Sequence, residues 1–393
     1  MMEPAAADST NPRAFLHVGG LTLARQQLGL VLALGCERIA CIARGLTPDM
    51  LALQHAAEKT GAQFHVITGP HALSGLVTAT DEVIALAEGL LVEPGEAMRL
   101  LDLGAAVLVQ PIEPGLAAGF ERIDLNHASA GALRVPGRLV ERLTELPADC
   151  DAISALQRIA LQAGVPQRPI GISPGGGPTR WLLVRNEGEA HGIEAGWIAE
   201  RMGAPTAMTP GRWLARLAAR RFGPTLLHSG SGGRPLAWAA AAMGLLGLGS
   251  AWFGQTYVGL ACCGIGWILR QTAEQLGLVE QQALLLPPPR LPDSAIYGWM
   301  LDLVLVILLG WAARAPELAF PAEQFFAPAM LVALLRLVPR ATGGRWTAWL
   351  EDRAVVVMAI ALAFASGFAA QAIPLAAVTL ALAGILVSRR QRG

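Results

Sequence analysis

The clearest chemical signal in the sequence is Asp302, a carboxylate inside a long apolar run. It lies seven residues after Ala295, where that run begins. An ionised side chain is costly in the hydrocarbon core of a membrane, so Asp302 is expected to face the interior of a helix bundle or a polar partner. Two interpretations stay open, a structural role and a functional one.

A second pattern is a basic helix ahead of the first long apolar run. Arg212, Arg216 and Arg220 recur at intervals of four residues, which places them on one face of that helix. They are expected to contact lipid phosphates at the membrane surface. The alternative is an ordinary basic flank on the cytoplasmic side of a membrane helix.

Glycine-rich stretches form the third pattern. Gly19 and Gly20 follow a predicted strand at residues 14–18. Ligands of α/β sheets bind beyond the carboxyl ends of strands, so this pair is a candidate nucleotide-binding turn, with a plain tight turn as the alternative. Residues 175–177 and 229–233 are typical of a linker and a hinge.

The composition divides the chain into two parts. Of its 393 residues 53% are hydrophobic and 15% are charged, whereas soluble domains average about 25% charged. Acidic residues are frequent up to Glu200, and apolar runs dominate from Pro235 onward. Thirty basic residues balance thirty acidic ones, which argues against nucleic acid as a partner. The five cysteines have no paired spacing and are expected to be reduced.

The second part is predicted to cross a membrane six times. Cytoplasmic loops accumulate arginine, and an even number of helices with both termini in the cytoplasm leaves only Arg314 in an exported loop. The apolar runs are residues 235–253, 257–269, 295–313, 325–338, 354–368 and 373–388. The arginines placed in the cytoplasm are Arg234, Arg270, Arg290, Arg340, Arg345, Arg353, Arg389, Arg390 and Arg392.

The first part is predicted to be a Rossmann-like α/β domain, because β-type apolar runs alternate with helical ones. Helices would cover a parallel sheet. The predicted strands are residues 14–18, 38–42, 64–68, 82–87, 106–110, 132–135 and 181–184, and the predicted helices include residues 22–34, 48–60 and 152–163. The predicted organisation is a disordered N-terminus (1–12), an α/β domain (13–200), an interfacial helix with a hinge (201–234) and a six-helix membrane domain (235–393).

Residues 15–164 resemble MobA-like nucleotidyltransferases, starting from Gly19, Gly20 and the long helix that follows them. The resemblance implies that the two glycines bind a nucleotide. It also implies a Mg²⁺ site, with a glutamate where the family has an aspartate. The family's Gly-rich phosphate loop, with its arginine and lysine, has no counterpart here. The residues that the resemblance assigns to the metal are Glu88, Asp149 and Asp151.

The order of an α/β domain before six membrane helices resembles proteins that join a nucleotidyltransferase to a CDP-alcohol phosphatidyltransferase. The latter family uses the cluster D-x2-D-G-x2-A-R-x8-G-x3-D-x3-D to hold divalent metal against a pyrophosphate. Of its four aspartates only Asp302 is present here, and Gly298 takes the place of another. If the chain is catalytic, the resemblance implies that Asp302 and Arg270 line a polar cavity in the membrane.

Two expectations for function follow. One is a membrane protein related to CDP-alcohol phosphatidyltransferases, in or beside phospholipid head-group biosynthesis in a bacterial inner membrane. The other is a non-catalytic scaffold or binding protein, a pseudoenzyme, favoured by the missing loop and aspartates. Expected partners are membrane lipids and a nucleotide or CDP-alcohol, with Mg²⁺ in the catalytic version, and a homodimer is left open. A transporter is disfavoured because no inverted repeat is evident.

Overall fold

The computed structural model describes residues 4–5, 11–171, 181–202, 208–228, 233–285, 293–312, 323–342, 346–365 and 369–390. The chain forms two compact units. Unit 1 comprises Met1–Trp197 with Glu280–Pro287, and unit 2 comprises Ile198–Val279 with Pro288–Gly393. Most of the predicted disordered N-terminus, the predicted linker at residues 175–177 and residues 229–232 of the predicted hinge lie outside the described residues.

Unit 1 has a mixed α/β fold, as the alternating pattern predicted. Its strands are β1 His17–Val18, β2 Leu21–Thr22, β3 Arg38–Ile42, β4 Gln63–Ile67, β5 Glu82–Leu86, β6 Leu90–Val92, β7 Ala106–Pro111, β8 His127–Pro136, β9 Gln167–Pro169 and β10 Trp181–Leu183. Its helices are α1 Leu23–Ala33, α2 Pro48–Glu58, α3 Pro94–Asp102, α4 Ile112–Ala117, α5 Ala152–Gln162 and α6 Glu187–Arg201, of which α6 continues into unit 2.

Side-chain caps fix where several of these helices begin. Thr22 accepts a hydrogen bond from the backbone N–H of Arg25 (3.2 Å) at the start of α1, and Thr47 accepts one from Met50 (3.3 Å) at the start of α2. The first N–H groups of a helix have no partner within it, so such caps stabilise the chosen start. The two caps place α1 and α2 close to the positions predicted from the sequence.

The strands of unit 1 are divided among several separate sheets. Four of them pair in the order β5-β8-β7-β9, with β8 antiparallel to both neighbours and β9 parallel to β7. Strands β3 and β4 pair in parallel as a separate sheet, and β1-β2 and β6-β10 are small antiparallel pairs. The first five residues of β7 are all buried, so this strand lies in the core of the four-stranded sheet. The expectation of one parallel sheet was wrong, because β8 runs antiparallel to both of its neighbours.

The predicted strand at residues 14–18 was also wrong. Arg13–Phe15 forms a 3-10 helix, and only His17–Val18 is extended. Gly19 and Gly20 have positive φ angles of 66° and 75°, which turn the chain back so that β1 pairs with β2. A left-handed pair of this kind favours glycine and makes a tight hairpin, which ends the strand after two residues.

Unit 2 is helical. Its helices pack through a buried cluster of apolar side chains that includes Leu305, Leu308 and Leu335. They are α7 Pro210–His228, α8 Arg234–Trp252, α9 Thr256–Leu284, α10 Asp293–Ala312, α11 Glu323–Thr342, α12 Thr347–Glu351, α13 Arg353–Ala365 and α14 Ala369–Arg390. The last turn of α9 belongs to unit 1.

Three helices of the described residues are long and apolar enough to cross a membrane. They are Arg234–Trp252, Ala295–Ala312 and Glu323–Thr342, with 18 to 20 residues each. Two shorter apolar helical segments follow, Arg353–Phe364 and Gln371–Val387. A span of the hydrocarbon core takes about 20 residues, so these three helices indicate a membrane protein by length and composition.

Aromatic contacts mark the two ends of α8 and α10. Trp238 packs edge-on against Tyr297 with ring centroids 6.3 Å apart, and Trp252 packs in the same way against Trp311 at 5.9 Å. Within each helix the two aromatic residues are fourteen positions apart, or about 21 Å along the axis. The two helices therefore run in the same direction, and α9 returns between them. Tryptophan and tyrosine at both ends of a span are typical of the two membrane interfaces.

Candidate functional site

The candidate site is built around Asp302 of unit 2, a residue that is only 2% exposed. Arg336 of α11 donates from Nε to Asp302 Oδ2 at 2.5 Å, and Arg353 at the start of α13 donates from Nε to Asp302 Oδ1 at 3.1 Å. Each carboxylate oxygen therefore binds a different arginine. A buried charge is stable only when paired in this way, which agrees with the expectation that Asp302 faces the interior.

Arg270 of α9 lies beside this pair of arginines. Its Nη2 is 2.7 Å from Glu274 Oε1, and it interacts electrostatically with Asp302, Arg336 and Arg353. A β-carbon at Gly298 would lie 3.0 Å from its Nε, so the glycine leaves room for the guanidinium. The structure thus brings together Asp302 and Arg270, the two residues that the sequence assigned to one polar cavity.

The guanidinium groups lie over the rings of two tryptophans. Arg336 lies 3.6 Å from the ring centre of Trp299, and Trp267 has Arg270 at 4.5 Å and Arg353 at 5.5 Å. Such contacts stabilise a cation without neutralising its charge. Trp299 is 59% exposed, so the site opens at the surface of unit 2.

The cluster has an excess of positive charge. Three arginines, Arg270, Arg336 and Arg353, share the carboxylates of Asp302 and Glu274. Neither terminal nitrogen of Arg336 donates a hydrogen bond to a described residue, nor does Nη2 of Arg353, and none of these three atoms is fully buried. Planar guanidinium donors of this kind bind phosphate and carboxylate oxygens.

Two buried polar atoms of α9 belong to residues close to Arg270 in the sequence. Within the part of the chain that the structure describes, Trp267 Nε1 and Gln271 Oε1 have no hydrogen-bond partner. Buried polar groups are nearly always satisfied, so these atoms require a water or a ligand. The arginine nitrogens and the indole N–H of Trp267 are donors of the kind that bind an anion, whereas Gln271 Oε1 is an acceptor and needs a donor such as water.

The two carboxylates at the end of α12, Glu351 and Asp352, have a separate role. Asp352 is fully buried and accepts hydrogen bonds from the backbone N–H of Gly211 (2.8 Å) and Ala354 (3.1 Å), and Glu351 pairs with Arg212 at 2.6 Å. They join the start of α7 to the start of α13. Neither carboxylate contacts the arginine cluster through a hydrogen bond.

The three arginines predicted to contact lipid phosphates have different surroundings. Arg212 is paired with Glu351, Arg216 donates to the backbone carbonyl of Met202 at 3.0 Å, and Arg220 is exposed. Helical spacing placed them on one face, as predicted, but Glu351 and the carbonyl of Met202 hold the first two side chains.

A cavity of about 950 Å³ lies in unit 1 between β3 and β5, and it contains the three residues assigned to a metal, Glu88, Asp149 and Asp151. Glu88 accepts a hydrogen bond from the backbone N–H of Ala14 (3.3 Å), and Asp151 caps α5 by accepting from Ser154 (2.9 Å). Among the described residues no group of three or more His, Cys, Asp or Glu side chains is placed to hold a metal ion. The cavity therefore supports no step through Mg²⁺.

Two carboxylates that line this cavity are paired with arginines. The backbone N–H of Thr78 binds Asp81 at 2.7 Å and, with Arg38 beside it, lowers the pKa of this carboxyl. Arg134 pairs with Glu82, donating from Nε at 2.9 Å. Burial raises the pKa of the Cys41 thiol to about 11, so this cysteine is protonated at neutral pH.

Gly19 and Gly20 form a hairpin turn away from that cavity. The backbone N–H of Gly19 donates to Glu194 Oε1 at 2.9 Å, and the ring of Trp197 covers the space that a β-carbon would take at this position. A carboxylate already occupies the amide that the sequence assigned to a nucleotide phosphate.

Arg336, Arg353, Trp267 and Trp299 are the site residues that the sequence analysis missed. Arg336 lies within a predicted span, residues 325–338, so a cation inside an apolar helix was the signal by which it could have been found. Arg353 was counted only as a cytoplasmic charge. No family model matches this chain, and no curated protein matches its sequence.

Proposed function

We propose that this chain is a membrane protein that binds a phosphate-bearing lipid head group, or the CDP-alcohol from which one is made, at the arginine cluster of unit 2. It acts in or beside phospholipid head-group biosynthesis. The observation that carries the proposal is the set of three arginine nitrogens, on Arg336 and Arg353, that are left without a partner among the described residues beside a buried carboxylate.

The position of the cluster supports a head-group ligand. Arg336, Arg353 and Trp299 lie at the end of unit 2 where α8, α10 and α13 begin and α11 ends. Arginine is concentrated on the cytoplasmic side of membrane proteins, and tryptophan at the interface. A lipid phosphate lies at the same depth as such residues, so the ligand would reach the guanidinium groups without entering the hydrocarbon core.

We propose further that unit 1 belongs to the Rossmann-like, nucleotidyltransferase-like folds, as a variant in which β8 runs antiparallel to both of its neighbours. In the same proposal six helices of the chain cross a bacterial inner membrane, with both termini in the cytoplasm. The parallel direction of α8 and α10, with α9 between them, fits a chain that crosses back and forth. The two shorter apolar segments, Arg353–Phe364 and Gln371–Val387, supply a further pair of crossings.

Binding without transfer is the version that the geometry favours. Metal-dependent transfer from a CDP-alcohol needs several carboxylates free to coordinate a cation. Here both oxygens of Asp302 are bound to arginines, and the described residues contain no group of acidic side chains placed for a metal. The second candidate function is therefore a transferase, and it requires carboxylates beyond those that the geometry provides.

Binding is tested on the full-length protein in nanodiscs by calorimetry with three probes, namely CDP-glycerol, inorganic phosphate and a short-chain phosphatidylglycerol. Arg336→Gln is expected to weaken binding of the favoured probe about tenfold or more, because a charge-assisted hydrogen bond contributes roughly 1.5–3 kcal/mol. Arg340→Gln is the matched control, since Arg340 is an exposed arginine on the same helix. Equal loss in both variants, or no binding of any probe, would contradict the proposal.

A transfer assay separates the two versions. The same preparation is incubated with radiolabelled CDP-alcohol, lipid acceptor and Mg²⁺, and the lipid fraction is counted. Binding without label in the lipid supports a binding protein, whereas Mg²⁺-dependent label that disappears in Asp302→Asn would restore the transferase.

A further inference from the structure

Helix α7 combines a buried face of small residues with an exposed face of large apolar ones. Gly211, Ala215, Ala219 and Gly223 recur every four residues and are buried in unit 2. Gly211 packs on Asp352, and the carbonyl of Ala215 accepts a hydrogen bond from Thr272 of α9 at 3.4 Å. This stripe fixes which side of α7 faces the other helices.

The opposite face of α7 is open. Trp213, Leu214 and Leu217 are 50%, 42% and 50% exposed, and Arg220 and Arg221 are exposed beside them. Their positions repeat at the three- and four-residue intervals of one helix face. Large apolar side chains that lie next to each other on a surface mark a contact with a partner or a membrane.

The composition of α7 indicates what covers this face. The helix has 19 residues, which is long enough to cross a membrane, yet it is not among the helices apolar enough to do so. It contains four arginines and no acidic residue. A helix with one apolar face, arginines beside it and low overall hydrophobicity lies in the plane of the membrane interface.

The chain connection points to the same surface. α7 ends at His228, and α8, the first candidate membrane span, begins six residues later at Arg234. The exposed arginines carry two positive charges that no described carboxylate pairs with, so they complement anionic lipid head groups.

We infer that α7 lies on an anionic lipid surface through Trp213, Leu214 and Leu217, and that Arg220 and Arg221 select the anionic lipid. Arg212 and Arg216 instead hold α7 to the protein, through Glu351 and the carbonyl of Met202. This inference does not depend on the proposed head-group site, since that site is built on Asp302, Arg336 and Arg353, none of which belongs to α7.

The test uses the full-length protein with p-benzoylphenylalanine in place of Leu217, reconstituted in nanodiscs with equal amounts of phosphatidylcholine and phosphatidylglycerol. After irradiation the mass of the intact protein is measured by mass spectrometry, which identifies the crosslinked lipid. We expect lipid adducts in which phosphatidylglycerol exceeds phosphatidylcholine, by up to roughly fivefold for each arginine at the surface.

Two double variants separate the arginines. Arg220→Gln/Arg221→Gln is expected to bring the adducts back to the bulk lipid ratio, and Arg212→Gln/Arg216→Gln is expected to keep the excess while lowering thermal stability. Crosslinks to a second copy of the chain, or an excess that survives loss of Arg220 and Arg221, would overturn the inference. If the second variant cannot be purified, the inference is decided by comparing the first variant with the protein that keeps all four arginines.

Discussion

Asp302 and the arginines around it have different roles, one in stability and the other in binding. One carboxylate compensates the buried guanidinium group of Arg353 and the partly buried one of Arg336 through separate oxygens, so both pairs depend on the same side chain. The burial of these charges is costly and is offset only while the carboxylate is present. Asp302 is thus the residue on which the order of the cluster depends, and the arginines are the residues that remain able to bind a ligand.

Replacement of Asp302 by Asn is expected to destabilise the protein by about 3–5 kcal/mol, because the buried Arg353 and the partly buried Arg336 lose their counter-charge. The measurement is unfolding of the full-length protein in mixed micelles, followed by tryptophan fluorescence. Asp102→Asn, at an exposed position in α3, is the matched control and should leave stability unchanged. Equal stability of the two variants would mean that the arginines are already solvated.

At the scale of elements, the junction of α7 with α13 depends on the absence of a side chain. Gly211 donates its backbone N–H to Asp352, and a β-carbon at this position would collide with the same carboxylate. Asp352 also caps the start of α13 by accepting from Ala354. One glycine and one aspartate therefore fix the positions of two helix ends.

Gly211→Ala is accordingly expected to lower the unfolding temperature, because Asp352 must move and at least one buried hydrogen bond is lost, at a cost of about 1–3 kcal/mol. Gly277→Ala in α9 is the matched control. Nothing lies within 4 Å of a β-carbon there, so this variant should gain up to about 1 kcal/mol from helix propensity. A thermal shift assay on both proteins makes the comparison, and an unchanged Gly211→Ala would show that Asp352 adjusts freely.

At the scale of the whole molecule, the number of membrane crossings decides where the C-terminus lies. Three crossings alone would place the two termini on opposite sides of the membrane, whereas the six proposed above place both in the cytoplasm. Residues 389, 390 and 392 are arginines, and such charges favour the cytoplasmic side.

Fusion of green fluorescent protein to either end of the chain in bacteria is therefore expected to give fluorescent cells, since this reporter folds only in the cytoplasm. Fusion of alkaline phosphatase, which is active only outside the cytoplasm, is expected to give activity when it is placed after Arg314 and none at the C-terminus. Phosphatase activity at the C-terminus would require an odd number of crossings.

The sequence by itself determined the division into a mixed α/β part and an apolar helical part, because the period of apolar residues and the length of apolar runs are local properties. It also singled out Asp302, since a carboxylate in an apolar run must find a partner. The cap residues Thr22 and Thr47 placed two helices near their observed starts for the same local reason.

Only the tertiary structure decided what Asp302 binds, because Arg336 and Arg353 come from helices 34 and 51 residues further along the chain. It also decided that Arg212 faces Glu351 while Arg220 faces outward. Helical spacing predicts which residues share a face of the helix, but the packing of the rest of the chain determines what each of them contacts. The failure of the predicted strand at residues 14–18 has a similar cause. Whether an apolar run extends into a sheet depends on a partner strand, and the turn at Gly19 and Gly20 supplied a nearer one.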